Sequence, residues 1–494
     1  MLTSTDWAAR SRELTIDGRA VINGRRVDAA DGGTLPVMSP GSLTHLADLA
    51  AGTYRDVDTA VTHARRAFDD EAWSCIGAAE RGRVLIRLAD LIIEHLEELA
   101  LLETLDSGKP IAQTLTVDVP GTAATFRWYG ELADKQFDEI PSTPPGSTAL
   151  VRRVPLGVVG AIVPWNYPLE IAAWKLAPAL AAGNSVILKP AAETSLSALR
   201  LADLALAVGI PAGVLSVVPG TGSAVGSRIA RHPGIDALAF TGSTAVAKQL
   251  MVDAGNSNMK RVALEAGGKS SNVIFSDADL STAAAKAAFG AFYNQGQVCS
   301  ANSRILIQRD VHDEFVELLA AASHDYEPSD PLAGSPGNGS LISRAHAEQV
   351  SCAIKRASDD GTLVSGGDRI TITGSDAYLR PAIVTGLDAR HELHRVEVFG
   401  PLVAVLSFDT EEEAICLANA TDFGLAASLW TTDLSRAHRV SEKLVAGTVS
   451  INTVDALGLT TPFGGFRQSG FGRDLSRHAL DNYTDWKTTW IQHG

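Results

Sequence analysis

The chain has 494 residues and a formal net charge of -15, with 45% hydrophobic and 20% charged residues. This composition excludes a disordered or fibrous chain and predicts about two or three globular domains. The acidic balance repels a polyphosphate backbone on average, so no nucleic-acid partner is expected.

The N-terminus has no basic segment followed by an apolar run, so no signal peptide is expected. No stretch approaches the ~18 apolar residues that span a bilayer, so no membrane partner is expected. Residues 57–71 and 80–103 carry apolar residues at helical spacing, among them Leu85, Leu88, Leu91, Ile92 and Leu96, and predict two surface-packed helices. Residues 137–153 hold Pro141, Pro144, Pro145 and Gly146 and then a strand-like alternation. From residue 154 short apolar runs alternate with helical stretches. Strands are predicted at 158–163, 185–188, 214–218, 237–240 and 262–264, with helices at 169–182, 194–208, 223–231 and 243–254. A second block has strands near 272–275, 304–308, 402–408 and 448–451. The fold class is α/β, with two doubly wound domains built on parallel sheets. Ligands in such sheets sit at the carboxyl ends of the strands. The aromatic tail at 482–494 and the strand-like 137–153 run imply pairing between subunits, hence a homo-oligomer.

Four cysteines, Cys75, Cys299, Cys352 and Cys416, lie far apart with no zinc-like spacing. No metal is expected, and reduced thiols point to a cytoplasmic location. Cys299 stands in a polar, glycine-containing loop before a strand, whereas most lone cysteines are small buried hydrophobes. Glu265 ends a strand and enters a Gly-Gly turn, where α/β enzymes place catalytic groups, although a solvated carboxylate would read the same way. Gly220 to Gly226 follows a strand and opens a helix with G-x-G-x-x-x-G spacing, which fits a phosphate site or a plain tight turn. Ser243, at the next strand-to-helix junction, fits a pyrophosphate contact or an N-cap. His391 and His394 lie in a charged stretch that reads as a solvated loop. Glu411, Glu412 and Glu413 read as a helix start.

Seven segments in order, Pro164-Trp165-Asn166-Tyr167-Pro168, FTGST at 240–244, LEAGGKS at 264–270, NQGQVC at 294–299, EVFGP at 397–401, PFGG at 462–465 and SGFGR at 469–473, closely resemble the motifs of the aldehyde dehydrogenase superfamily. The likeness covers essentially the whole chain. Segments 127–135, 257–270, 292–299 and 473–491 are most similar to the γ-glutamyl-γ-aminobutyraldehyde and guanidinobutyraldehyde dehydrogenase group.

The resemblance implies a Rossmann-like cofactor domain at 1–134 and 154–267, a catalytic domain at 268–475, and a small β oligomerisation extension at 135–153 and 476–494, in a dimer or tetramer. It implies oxidation of an aldehyde to the acid with NAD or NADP. Cys299 would attack as thiolate, the Asn166 amide and the Cys299 N–H would hold the oxyanion, and Glu265 would activate water on the thioester. Lys175, with Asp474 as partner, would support proton release. Cofactor contacts are implied for Ile162, Trp165, Lys189, Ala192, Gly222, Gly226, Ser243, Val246, Ala266, Gly267, Glu397 and Phe399. The aldehyde tunnel would be walled by Tyr167, Trp174, Val298, Asp455 and Phe463.

Two departures stand out. Ala192 occupies the place where NAD-preferring relatives carry a glutamate, and Glu193 follows it, which leaves the choice between NAD and NADP open. In the 452–461 loop Asp455 is the one acid, among Ala456, Leu457, Gly458 and Leu459, so an apolar tunnel rim and broad aldehyde specificity are expected. Coenzyme A-acylating relatives generally lack the water-activating glutamate, so Glu265 weighs against that activity. The intact Cys299, Asn166, Glu265 and Glu397 weigh against a non-catalytic structural member.

Overall fold

The computed structural model describes residues 6–334 and 337–493, so residues 1–5 and 494 of the expected first and last segments lie outside it. Continuous apolar runs fold as strands buried on both faces, as expected where helices cover a parallel sheet on both sides. In the first sheet Val158–Ile162 pairs in parallel with Ser185–Lys189 and with Ala237–Thr241. Leu215–Val217 and Arg261–Glu265 extend it on either side, also in parallel. Its edges are antiparallel: Ala20–Ile22 against Leu215–Val217, and Gly470–Phe471 against Arg261–Glu265. The last of these returns from the C-terminal part of the chain, so residues 470–471 sit in the first sheet although the expected boundary groups them with the second. In the second sheet Ser271–Ile274, Arg304–Gln308, Leu402–Phe408, Ala382–Thr385, Ala426–Trp430 and Thr448–Ile451 run parallel, and Thr362–Ser365 closes one edge antiparallel.

The helix expected at 80–103 is two helices, Ala78–Glu94 and Leu96–Ser107, parted at His95. Leu99 through Ser107 are buried on every side, which an amphipathic surface helix could not continue into. The run expected as a helix at 223–231 opens with a wide turn, Gly222–Gly226, before Ser227–Arg231. Ser147–Pro155 and Thr484–Gln492 pair antiparallel along their length, and the latter exposes Trp486, Trp490 and Ile491. His394, expected in a solvated loop, is buried with neither ring nitrogen hydrogen-bonded; burial lowers its pKa to about 4. Glu411 to Glu413 do begin a helix, capped by the Thr410 hydroxyl. Among the described residues no cysteine is paired, no helix is long and apolar enough to cross a membrane, and no cluster of metal-ligating side chains occurs.

Candidate active site

The helix Leu280–Phe292 ends in three consecutive left-handed residues, Asn294 (φ 49°), Gln295 (φ 57°) and Gly296 (φ 68°). Such backbone costs about 1–3 kcal/mol per non-glycine residue and survives only where its surroundings over-determine it. Here the Asn294 amide donates to the carbonyls of Asn166 (3.1 Å) and Gln297 (3.2 Å). A Cβ on Gly296 would stand 2.3 Å from the Gly400 carbonyl oxygen, so only glycine fits. This pinned turn delivers Cys299 to a cavity of about 210 Å3 lined in part by Asn166, Glu265, Glu397 and Phe399. Among the described residues no hydrogen bond takes up the Cys299 N–H. Burial, then the negative charge of Glu265, pushes the thiol well above its usual range.

Asn166 sits just before the helix Pro168–Ala181, and its amide donates to the Gln297 carbonyl at 2.9 Å. That bond fixes the amide plane and leaves its second N–H for a ligand. Glu265 closes the strand Arg261–Glu265 and is buried. Neither carboxylate oxygen completes a hydrogen bond within the chain. Burial pushes its carboxyl up to about 7, while Lys175, the Cys299 thiol and the Thr241 hydroxyl pull it back. Lys175, also buried, donates to Asp474 at 2.5 Å. Asp474 is carried there by paired backbone bonds to Phe463. The pair acts electrostatically on Glu265 from both signs.

Gly222, Gly226 and Lys189, expected at the cofactor, do not line this cavity, whereas Ser243, Gly267, Glu397 and Phe399 do. A Cβ on Gly222 would meet nothing, and one on Gly226 would make ordinary contacts with Lys189 and Ile162. Neither glycine has positive φ. The chain's own packing therefore does not demand glycine there, and the missing side chains leave room for a ligand to approach. Lys189 is buried at the end of its strand, donates to the Pro190 carbonyl (2.9 Å), and is lowered to about 8 by burial. Ser243 is an N-cap, accepting from the Val246 N–H at 3.4 Å, while Val246 itself is exposed. Glu397 accepts from the Gly268 N–H at 3.0 Å, and burial raises it to about 7. A Cβ on Gly267 would overlap the Glu397 carboxylate, so that glycine makes room for it. Ala266 is buried beside it, its N–H donating to Ser469. Phe399 (φ 59°) packs edge-on against Trp165 at 5.2 Å. Ala192 is half-buried and Glu193 exposed.

The aldehyde dehydrogenase family profile matches residues 27–489. The NADP/NAD-dependent aldehyde dehydrogenase PuuC of Escherichia coli (strain K12) is 48% identical over 486 residues, covering 98% of each chain. The aminoacetaldehyde dehydrogenase of Pseudomonas aeruginosa is 44% identical over 493 residues, covering 99% of each. The solved structure of P. syringae AldA indole-3-acetaldehyde dehydrogenase, in complex with NAD+ and IAA, superposes with a TM-score of 0.98 at 48% identity over 100% of both chains.

This chain belongs to the aldehyde dehydrogenase family.

In this aldehyde dehydrogenase the residues expected to wall the tunnel are all buried or half-buried. Trp174 and Phe463 pack edge-on at 5.6 Å, and Val298 is half-buried beside Cys299. Asp455 accepts from the Ser300 hydroxyl at 2.6 Å. Lys109 stands over the Tyr167 ring, 3.4 Å from its centroid, and pairs with Asp118. Three residues were not foreseen. His346 lines the cavity and bonds the Phe399 carbonyl. Glu170 lies three residues after Tyr167 and four before Trp174, on the same helix face, a spacing legible in the sequence. A Cβ on Gly121 would come 2.8 Å from its Oε1, and among the described residues no hydrogen bond or ion pair takes up its carboxylate. Tyr293, whose buried hydroxyl is also unpartnered, completes this end.

Proposed function

We propose that this chain oxidises an aldehyde to its carboxylic acid with NAD or NADP, the acyl group passing through a thioester on Cys299. The observation that carries the reading is the convergence of Cys299, the Asn166 amide and the unpartnered Glu265 carboxylate on one cavity. Cys299 reacts as its thiolate, and Glu265, pushed up to about 7, faces it as the base for the later hydrolysis. The sulfur then bonds to the carbonyl carbon, and the oxygen gains the negative charge. The Asn166 N–H and the Cys299 N–H hold that charge in place. When bound, the nicotinamide supplies the hydride acceptor. Trp165 and Phe399 wall its place, with Glu397 set for the ribose hydroxyls. Glu265 next takes a proton from water as the oxygen attacks the thioester, and the sulfur leaves as thiolate. Lys175 and Asp474 carry the proton outward.

The far end of the tunnel supports aldehydes with a cationic tail. The charges of Asp118, Glu103 and Asp455 act on Glu170, and Lys109, already paired with Asp118, opposes them. Burial and the neighbouring carboxylates raise Glu170 to about 8. A bound cation relieves that repulsion. Glu170 lies outside the 452–461 loop, from which broad aldehyde specificity is expected, and adds a charge that the loop does not show. The chain is similar both to an aminoacetaldehyde and to an indole-3-acetaldehyde dehydrogenase, so overall identity does not choose between the tails.

The Ser147–Pro155 and Thr484–Gln492 ribbon, with its exposed tryptophans, supports assembly as a dimer or tetramer. The unpaired cysteines support a cytoplasmic location. The test is aldehyde-dependent reduction of NAD+ or NADP+ by the purified protein. Cys299→Ala abolishes it while retaining cofactor binding. Turnover surviving in that variant would overturn the nucleophile assignment.

A further inference from the structure

We propose that His346 is a positioning residue, which sets the nicotinamide-facing wall by holding Phe399 through its main-chain carbonyl. This rests on the reading of Trp165 and Phe399 as that wall.

Phe399 lies in an irregular segment between the short turn Glu392–His394 and the strand Leu402–Phe408. Its φ of 59° places a bulky residue in the left-handed region, which it leaves unless neighbours prevent it. Three contacts do so. The His346 Nε2–H donates to the Phe399 carbonyl at 2.8 Å. One turn further along the same helix, Arg344–Asp360, Val350 lies so close that a Cβ on Gly400 would come 2.7 Å from its Cγ2. On the opposite side the Gly400 carbonyl abuts Gly296 of the turn that carries Cys299. Residues 399 and 400 are thus held between one helix face and the nucleophile turn.

Histidine suits this place in two ways. A carbonyl can only accept, so Nε2 carries the proton and the ring acts as a fixed donor. The ring also packs edge-on against Trp165 at 5.7 Å, and Trp165 in turn meets Phe399 at 5.2 Å. Its backbone is fixed as well: the His346 N–H donates to the Ser343 cap at 3.1 Å. Burial lowers its pKa below the ordinary histidine value, which keeps the donor neutral. Without the donor, the Phe399 backbone relaxes, its ring leaves the wall, and Glu397 two residues upstream shifts with it.

The test compares His346→Phe, which keeps a ring but loses the donor, with His346→Gln, whose amide can donate to the same carbonyl. NAD+ affinity is measured by calorimetry, and the isotope effect on oxidation of a 1-deuterated aldehyde follows hydride transfer. The Phe variant is expected to bind NAD+ about tenfold more weakly and to show a larger isotope effect, with both restored toward wild type by Gln. His346→Leu serves if Phe is not accommodated, and melting temperature reports folding. Wild-type NAD+ affinity in the Phe or Leu variant, or a Gln variant no better than they are, overturns the proposal. A wild-type protein that binds no NAD+ would instead overturn the reading of the wall beneath it.

Discussion

The carbonyl oxygen of Cys299 lies 2.3 Å from where a Cβ on Gly268 would sit. The loop of the base-bearing strand and the nucleophile turn therefore touch backbone to backbone. The Gly268 N–H also holds Glu397. Gly268→Ala must push Cys299 aside, and a displacement near 1 Å is expected to lower kcat about a hundredfold. The rate of Cys299 alkylation by iodoacetamide should change in the same variant. A Gly268→Ala protein with wild-type kcat would show that the contact yields without cost.

Glu265 gives a prediction in two parts. With Gln there, the first turnover still reduces about one equivalent of cofactor per site, and hydrolysis then stalls. Loss of that burst would assign Glu265 chiefly to activating the thiol. In the wild type hydrolysis needs the ionised carboxylate, so its rate rises with pH through about 7 and levels above. The same shift bears on stability. A carboxyl raised from 4.5 to about 7 in the folded state opposes folding once ionised. The penalty is absent below about pH 4.5, grows up to about 7, and is complete above it, at about 3 kcal/mol. Glu265→Gln is therefore expected to resist denaturant better than wild type at pH 8 and no better at pH 4.5. Equal stability of the two proteins at pH 8 would contradict the raised carboxyl.

Much of this architecture is legible in the residues, and the rest fails for identifiable reasons. The strands at 304–308, 402–408 and 448–451 match the structure because each is a short apolar run bounded by turn residues. Strands Ala382–Thr385 and Ala426–Trp430 escaped notice, since small and polar residues dilute their apolar signal. The break at His95 carries no glycine or proline, so nothing local announces it. The left-handed turn at Asn294 and Gln295 is imposed by Asn166 and Gly400, both far away in sequence. Cys299, Asn166 and Glu265 were found because their motifs are local. His346 and Glu170 matter only through partners the fold brings to them.

Ala192 is expected to govern cofactor choice. A glutamate at this half-buried position would bind both adenosine ribose hydroxyls and repel a 2′-phosphate. Its absence removes both effects, and Glu193, the next residue, is exposed. The wild type is expected to use NAD+ and NADP+ alike. Ala192→Glu should shift preference toward NAD+ by roughly 1–3 kcal/mol, the scale of hydrogen bonds to a charged group. Steady-state kinetics with both cofactors measures this. Complete rejection of NADP+ by the wild type would mean that Glu193 has taken over the role.

Glu170 is expected to bear on the choice of aldehyde. The charge of Asp455 acts on Glu170 from far along the chain, and the Ser300 hydroxyl donates to Asp455. A cation ~5 Å from an ionised carboxylate gains about 3 kcal/mol at an effective dielectric near ~20, before its own desolvation is subtracted. A pair of probes isolates that charge: 4-trimethylaminobutyraldehyde and its uncharged carbon isostere, 5,5-dimethylhexanal. Wild-type kcat/KM is expected to favour the cation about tenfold, or ~1.4 kcal/mol. Because the probe's charge does not titrate, the ratio of the two kcat/KM values reports the protein alone, and effects on Cys299 cancel. The cation needs ionised Glu170, so the ratio should rise with pH through about 8 and then level. In Glu170→Gln it should fall toward unity and lose that pH dependence, and Asp455→Ala should lower it further. A wild type that prefers the uncharged isostere at pH 8 would remove Glu170 from the selection of substrate and restore the apolar rim of residues 456–459 as its determinant.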